Sequence, residues 1–206
     1  MQTDAHHWDD VYRHKNATEV SWYRAHLETS LALIAATDAR LDSAIIDVGG
    51  GASTLVDDLL AAGYQHVTVL DLAASALVTA QARLGTQAVK IDWRVANVLE
   101  AEFAHHQFDV WHDRAVFHFL TAAEDRARYV AQVRHAVKPC GHVIVGSFGP
   151  GGPLQCSGLD VVRYSPSALH GEFGAPFELV KSTREAHLTP GGKTQEFVYC
   201  YCRKRG

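Results

Sequence analysis

The chain has 206 residues, of which 47% are hydrophobic and 20% are charged, and its formal net charge is −4. This composition predicts one globular domain over residues 1–206 that can bury a sizeable core, and the acidic balance argues against a nucleic-acid-binding protein. No run of about 18 apolar residues occurs, so we expect no membrane partner.

Residues 1–43 contain several aromatic side chains but no strand pattern. We expect this region to form a helical lid, with Tyr12 and Trp22 among its apolar contacts and a helix near residues 30–37. The first residues are polar and lack the apolar centre of a signal peptide, which favours a cytoplasmic location. The four cysteines follow neither a disulfide framework nor zinc-ligand spacing, so no metal site is predicted.

From residue 44 onward, short apolar runs alternate with amphipathic segments. Strands are predicted at 44–48, 66–71, 89–95, 108–111 and 142–148, and helices at 53–62, 73–84 and 121–137. Such repeats predict a parallel sheet with helices on both faces. Ligands of these sheets bind beyond the carboxyl ends of the strands, where the strand order reverses. The tip of the first strand, at residues 47–51, is therefore the expected site.

The C-terminal part departs from this alternation. A glycine-rich loop over residues 149–165 precedes Ser165-Pro166, a pair typical of a helix start. Residues 177–188 and 194–203 then predict two long strands on either side of Pro190-Gly191-Gly192. Because a tight turn joins them, they form a hairpin, and one strand runs antiparallel to the sheet.

The stretch AIIDVGGGAST, residues 44–54, combines a carboxylate with three glycines at a strand end. A dinucleotide-binding G-x-G-x-x-G motif would need glycine where Thr54 stands, and Asp47 would repel a phosphate. S-adenosylmethionine has no phosphate, and both its ammonium and its sulfonium are attracted to a carboxylate. The residues themselves therefore favour S-adenosylmethionine over NAD.

Two further polar residues end neighbouring strands. Asp71 follows the second strand, where an acid can accept hydrogen bonds from both ribose hydroxyls. This feature is shared with NAD proteins, so it indicates a nucleoside without identifying it. Asn97 follows the third strand and is placed to meet an adenine ring.

Taken together, these stretches resemble class I S-adenosylmethionine-dependent methyltransferases. The similarity lies in IIDVGGGAST, VTVLDLAASAL, WRVANVLE, FDVWHDRAVFHFL and GHVIVGSF, and in the C-terminal hairpin. The resemblance implies an α/β fold with a Rossmann-like, mostly parallel seven-stranded sheet, in which residues 44–206 bind the cofactor. It implies that Asp47, Gly49 and Gly51 line the methionine end, Asp71 holds the ribose and Asn97 meets the adenine. The other cofactor-binding residues implied are Gly50, Leu72, Val98 and His112.

The stretch WHDRAVFHFL is similar to the Trp-Asp-Arg-Gly stretch of thiopurine-type methyltransferases, with Ala115 in place of the glycine. His118 is the candidate base, because imidazole titrates near neutral pH. Asp113 is a second catalytic candidate, although Asp113 and Arg114 are better explained as a structural ion pair or a brace of the strand tip. The candidate acceptor-binding residues are Tyr12, Trp22, Arg114 and Cys156, the last as a contact for a soft substrate.

The leading hypothesis is an enzyme that methylates a small molecule, with a sulfur or other soft nucleophile among the candidates. A protein-lysine N-methyltransferase and a non-catalytic nucleoside-binding module are the alternatives. An NAD-dependent dehydrogenase is disfavoured by the glycine spacing and by Asp47. A monomer and a homodimer are equally compatible with the sequence.

Overall fold

The computed structural model describes residues 5–206, in which nine strands and six α-helices form. The strands are β1 (Ala44–Val48), β2 (His66–Asp71), β3 (Ile91–Val95), β4 (Phe108–Arg114), β5 (Val137–Phe148), β6 (Gln155–Cys156), β7 (Leu159–Asp160), β8 (Phe177–Leu188) and β9 (Thr194–Lys204). The helices are α1 (Ala5–His14), α2 (Glu28–Ala35), α3 (Leu55–Ala61), α4 (Ala74–Leu84), α5 (Ala123–Ala136) and α6 (Pro166–Phe173).

Seven strands form one sheet in the order β3-β2-β1-β4-β5-β9-β8. The five strands β1 to β5 pair in parallel, whereas β9 is antiparallel to both β5 and β8. Alternate side chains of β1 enter two apolar clusters: Ile46 packs into one and Ile45 into the other, as a strand covered on both faces requires. The predicted fold class is confirmed.

The strand order reverses at β1, which lies between β2 and β4. The carboxyl ends of these three strands meet at one edge of the sheet, where parallel α/β sheets bind their ligands. Residue pairing places Asp47 beside His112, and Val48 beside Asp113. The chemistry-bearing residues of the first and fourth strands are therefore neighbours.

The structure differs from the sequence prediction at several boundaries. Residues 85–90 form a 3-10 helix, so β3 begins only at Ile91, and Val89 is 88% exposed instead of lying in a strand. Strand β4 continues to Arg114, three residues past the predicted end. Helix α5 ends at Ala136 because β5 begins at once, with Cys140 in the left-handed region at φ 62°.

The glycine-rich loop contains structure that the sequence does not indicate. Strands β6 and β7 pair as a two-stranded antiparallel hairpin within it. The predicted start of the next helix is confirmed, because the Ser165 side chain accepts a hydrogen bond from the Ala168 N–H and Pro166 follows. Strands β8 and β9 form the predicted C-terminal hairpin.

The N-terminal region contains two helices joined by irregular chain. Asp9 of α1 accepts hydrogen bonds from the Ser75 N–H at 3.0 Å and the Ser75 hydroxyl at 2.6 Å, which attaches α1 to the start of α4. The predicted lid therefore lies against the core, although its first four residues are outside the described chain. In residues 5–206 no helix has the length and apolar character needed to cross a membrane.

Candidate functional site

Two adjoining cavities open at the carboxyl edge of the sheet. The larger encloses about 790 Å³ of empty space, including its open mouth, and the smaller encloses about 480 Å³. They share four lining residues, which are Tyr12, Trp22, Gly49 and Arg114. Because the two cavities meet at these residues, one elongated ligand could occupy both.

Asp47, at the end of β1, lines the smaller cavity as one member of a buried pair. Its Oδ1 accepts a hydrogen bond from Nδ1 of His112 at 2.7 Å, and both side chains are at most 5% exposed. On the other side of the imidazole, Nε2 lies 2.9 Å from the hydroxyl of Ser30 in α2. A buried carboxylate needs such a partner, and His112 supplies it while remaining part of the cavity wall.

Two of the glycines after β1 lie where no side chain fits, Gly49 in the wall of both cavities and Gly51 two residues later, outside both. Gly49 has a φ of 68°, and a Cβ atom there would lie 2.0 Å from Cγ2 of Val116. Gly51 has a φ of 42°, and a Cβ atom there would lie 2.8 Å from Oδ2 of Asp71 and 3.1 Å from the Tyr12 hydroxyl. Only glycine therefore suits either position.

Asp71, at the end of β2, faces the larger cavity. Its Oδ1 accepts a hydrogen bond from the Ala73 N–H at 2.8 Å. Burial, helped by the nearby negative charge of Asp47, raises the pKa of this carboxyl from its ordinary value of 3.8 to about 7. Its protonation therefore changes near neutral pH.

Leu72, Asn97 and Val98 continue the wall of the larger cavity past β2 and β3. Oδ1 of Asn97 accepts a hydrogen bond from the Leu99 N–H at 3.0 Å, which holds the turn after β3. Since a carbonyl oxygen can accept two hydrogen bonds, this contact leaves room for a second donor. The residues predicted to contact the nucleoside thus lie on one continuous wall.

Aromatic side chains form another part of the cavity wall. Trp8 packs edge-on against Phe119 with ring centroids 5.1 Å apart, and against Trp22 at 6.0 Å. Tyr12 packs against Trp22 at 6.3 Å. The predicted acceptor-side residues Tyr12 and Trp22 are therefore brought to the cavity, together with Trp8 and Phe119.

Arg114, the last residue of β4, is held by partners from three parts of the chain. It donates hydrogen bonds to the Tyr199 hydroxyl at 2.9 Å, to the Trp22 carbonyl at 3.0 Å and to Glu185 at 3.3 Å. Its guanidinium also lies 4.3 Å from the centre of the Phe197 ring. The predicted ion pair with Asp113 is not formed, because Glu185 supplies the compensating charge.

Cys156, in β6, lines the larger cavity and is only 5% exposed. Burial raises the pKa of its thiol to about 11, so the thiol is protonated at neutral pH. At neutral pH it therefore offers the cavity a soft, uncharged surface.

His118 does not line either cavity, contrary to its prediction as a base facing the pocket. Its ring is fully buried, with Phe148 and Phe119 each at a centroid distance of 4.5 Å. Within residues 5–206 neither ring nitrogen has a hydrogen-bond partner. Burial lowers its pKa to about 3, so the imidazole is neutral and enclosed in the apolar core.

Asp113 also lies outside both cavities, which contradicts its prediction as a catalytic residue. Its Oδ2 accepts a hydrogen bond from the Tyr129 hydroxyl at 2.6 Å, and its Oδ1 accepts one from the Val116 N–H at 2.9 Å. Burial raises the pKa of this carboxyl to about 6. Asp113 therefore fixes the turn after β4, which places Val116 over Gly49.

Several cavity residues were not predicted from the sequence. They are Val48, Leu70, Ala96, Ala115, Val116, Phe119 and Leu120 in the larger cavity, and Ala17, Val20, Arg24, Leu27, Ala52 and Ser53 in the smaller one. Phe119 adjoins His118, so the correct stretch was identified with the wrong side chain. Arg24 carries no local signal, because a single arginine outside any motif is indistinguishable in sequence from a surface residue.

Comparison with known families gives a match over the central part of the chain. Residues 45–141 match the family model described as a methyltransferase domain. A ubiquinone/menaquinone biosynthesis C-methyltransferase of Roseobacter denitrificans is 27% identical over 155 residues, which cover 71% of this chain. The matched region spans 61% of that relative's length.

Solved structures share the fold over nearly the whole chain. One of them was solved in work on the conversion of a disulfide bond into a thioacetal group during echinomycin biosynthesis. It has a TM-score of 0.80 and 18% sequence identity, and the alignment covers 98% of this chain and 93% of that chain. Another is a 1,6-didemethyltoxoflavin-N1-methyltransferase of Burkholderia thailandensis with bound 1,6-didemethyltoxoflavin and S-adenosylhomocysteine. It has a TM-score of 0.68 and 19% sequence identity, and the alignment covers 98% of this chain and 84% of that chain. At these identities the likeness concerns the fold.

Proposed function

We propose that this protein, whose core is a methyltransferase domain of the class I, S-adenosylmethionine-dependent type, transfers a methyl group to a small-molecule acceptor. S-adenosylmethionine is the cofactor of this domain class, and S-adenosylhomocysteine is the product left after transfer. The observation that carries the proposal is the pair of joined cavities, because the nucleoside-binding candidates Asp71 and Asn97 and a group of aromatic side chains line the same space.

The residues present fit this cofactor. At Gly49 and Gly51 the backbone lies so close to Val116 and to Asp71 that a side chain would displace these cavity-lining residues. Asp71, once ionised, can accept hydrogen bonds from two ribose hydroxyls. Asn97, Leu72 and Val98 would enclose the adenine, and Asp47 with His112 would face the amino-acid end.

The acceptor is expected on the aromatic side of the larger cavity. Trp8, Trp22 and Phe119 form an apolar surface there, and Cys156 adds a neutral thiol. This wall favours a small apolar or aromatic molecule over a lysine side chain. Among possible acceptors, we prefer a sulfur nucleophile. The similar structure from work on echinomycin biosynthesis supports this choice, because its description concerns the conversion of a disulfide into a thioacetal.

The chain's own residues would act by positioning and by excluding water. When bound, S-adenosylmethionine supplies an electrophilic methyl group. The aromatic wall holds a nucleophile in line with it and removes its hydration, which raises the reactivity of a soft nucleophile. His118 and Asp113 lie outside the cavities, so we assign neither a proton transfer and expect acceptors that react without a strong base.

Two measurements test the proposal. Calorimetry should show binding of S-adenosylmethionine and S-adenosylhomocysteine and not of NAD. Methyl-labelled S-adenosylmethionine should then transfer label to small thiols or aromatic acceptors in a metabolite panel. Label that accumulates in lysine residues of added protein would support the lysine methyltransferase instead, and preferential binding of NAD would overturn the cofactor assignment.

A further inference from the structure

The smaller cavity has an unusual charge composition for a space this enclosed. Its wall contains the Asp47–His112 pair together with two arginines, Arg24 and Arg114. It joins the larger cavity at Gly49, so a ligand whose nucleoside lies against Asp71 would extend its other end here. The ligand group that suits this wall carries both a positive and a negative charge.

The two arginines differ in how fully they are already engaged. The Arg114 guanidinium is 5% exposed and has donors directed to Tyr199, Trp22 and Glu185, so Glu185 already compensates its charge. Arg24 is 28% exposed and forms an ion pair at 2.6 Å with Glu28, which is itself 66% exposed. An exposed ion pair is weak and exchanges readily with another anion. Arg24 is therefore the arginine with capacity for a ligand.

The position of Arg24 is fixed by the core. Its carbonyl accepts a hydrogen bond from the Thr54 hydroxyl at 3.0 Å, at the start of α3 directly after the glycine turn. Two residues earlier, the Trp22 carbonyl accepts one from Arg114. The chain from 22 to 24 is thus attached on both sides of the cavity, so Arg24 has a defined place in its wall.

We propose that Arg24 binds the carboxylate of the cofactor's amino-acid end, while Asp47 faces its ammonium group. An α-amino acid carries both charged groups on one carbon, which matches a wall that holds a carboxylate and a guanidinium whose only ion pair within the described residues is with the exposed Glu28. The guanidinium can hold a carboxylate with two parallel hydrogen bonds. This inference rests on the proposed function, and it makes a residue outside the matched methyltransferase domain part of cofactor recognition.

A pair of ligands tests the proposal by binding alone. S-adenosylhomocysteine contains the amino-acid end, whereas 5′-methylthioadenosine has the same thioadenosine without it. In calorimetry, Arg24→Ala should weaken S-adenosylhomocysteine about tenfold or more, the loss expected for a hydrogen bond to a charged group. The affinity for 5′-methylthioadenosine should stay unchanged, which also shows that the variant is folded. Arg24→Lys should recover part of the loss.

Two controls separate recognition from structure. Arg40→Ala removes another arginine that pairs with an exposed acid, Asp42, away from both cavities, and it should change neither affinity. Glu28→Gln breaks the Arg24 ion pair and should leave S-adenosylhomocysteine binding intact. If Glu28→Gln reproduces the loss, or if Arg24→Ala weakens both ligands equally, Arg24 acts through the fold and the inference is wrong. If the wild type binds neither ligand, the proposed function itself fails.

Discussion

The tips of β2 and β4 each carry a buried aspartate, yet the two acids face different surroundings. Asp71 is 8% exposed and opens into the larger cavity, with one backbone N–H on Oδ1. Asp113 is fully buried and is surrounded by donors from Val116, Phe117 and Tyr129. Burial raises the pKa of both carboxyls, to about 7 and about 6.

The difference shows that a raised pKa at a strand tip does not by itself identify a ligand contact. Asp113 has its accepting capacity filled by the protein, so its role is to hold the turn. Asp71 retains capacity toward open space, so it is available to a ligand. Substitutions at these two tips should therefore separate stability from binding.

The largest effect is expected for Asp113→Ala. The change leaves the Tyr129 hydroxyl and the Val116 N–H without their acceptor, and each buried unpaired donor costs about 1–3 kcal/mol. We expect the free energy of unfolding in urea to fall by about 3 kcal/mol. Asp113→Asn keeps one accepting oxygen, so its free energy of unfolding should fall by less. An Asp113→Ala protein that unfolds at the wild-type urea concentration would show that the turn needs no such acceptor.

Asp71→Ala should instead act on the cofactor. Loss of the ribose contact should weaken S-adenosylhomocysteine by about 1.5–3 kcal/mol in calorimetry. The matched control is Asp92→Ala in β3, an exposed acid paired with Arg94, which should bind normally. If the Asp71 and Asp92 variants bind S-adenosylhomocysteine with equal affinity, Asp71 is not part of the cofactor site.

The pH dependence of Asp71 should run in opposite directions for stability and binding. Its pKa is raised in the folded state, so its contribution to stability is fully present below about pH 4 and is lost as pH rises through about 7. Asp71→Asn removes this loss and should raise the free energy of unfolding at pH 8 by about 1 kcal/mol or more. Wild-type affinity for S-adenosylhomocysteine should rise over the same range, because the ionised carboxylate accepts both hydroxyls. A flat binding profile from pH 5 to 8 would contradict this role.

The smallest effect is expected for His118→Phe, four residues past the end of β4. Since both ring nitrogens lack partners in the described chain, an apolar ring of similar shape removes a cost of burial, and unfolding should be unchanged or shifted to higher urea. Turnover should be retained. The control is His112→Phe, which leaves the Asp47 carboxylate unpaired and should lose cofactor affinity. Loss of turnover with normal folding in His118→Phe would restore His118 as a catalytic candidate.

That the residues proposed for the cofactor side lie together could be predicted from the sequence, because each element is local. Asp47 with its glycines and Asp71 each stand within a few residues of a strand end, and parallel strands bring such ends together. The acceptor side could not, because its members come from distant segments, such as Trp8 and Phe119. His118 was misassigned because sequence spacing gives the distance from the strand tip and not the direction of the side chain.

The attachment of the N-terminal segment has a consequence for the order of events during synthesis. The carbonyl of Ser21 lies 2.7 Å from Nε2 of His187, a residue 166 positions later in the chain. At about 5–20 residues per second, a ribosome needs roughly ten to thirty seconds to make that stretch. Until β8 emerges, Trp22 and its neighbours have neither His187 nor Glu185 to hold them, and the cavity wall cannot form. The nascent chain should therefore acquire ligand affinity only after β8 has been synthesised.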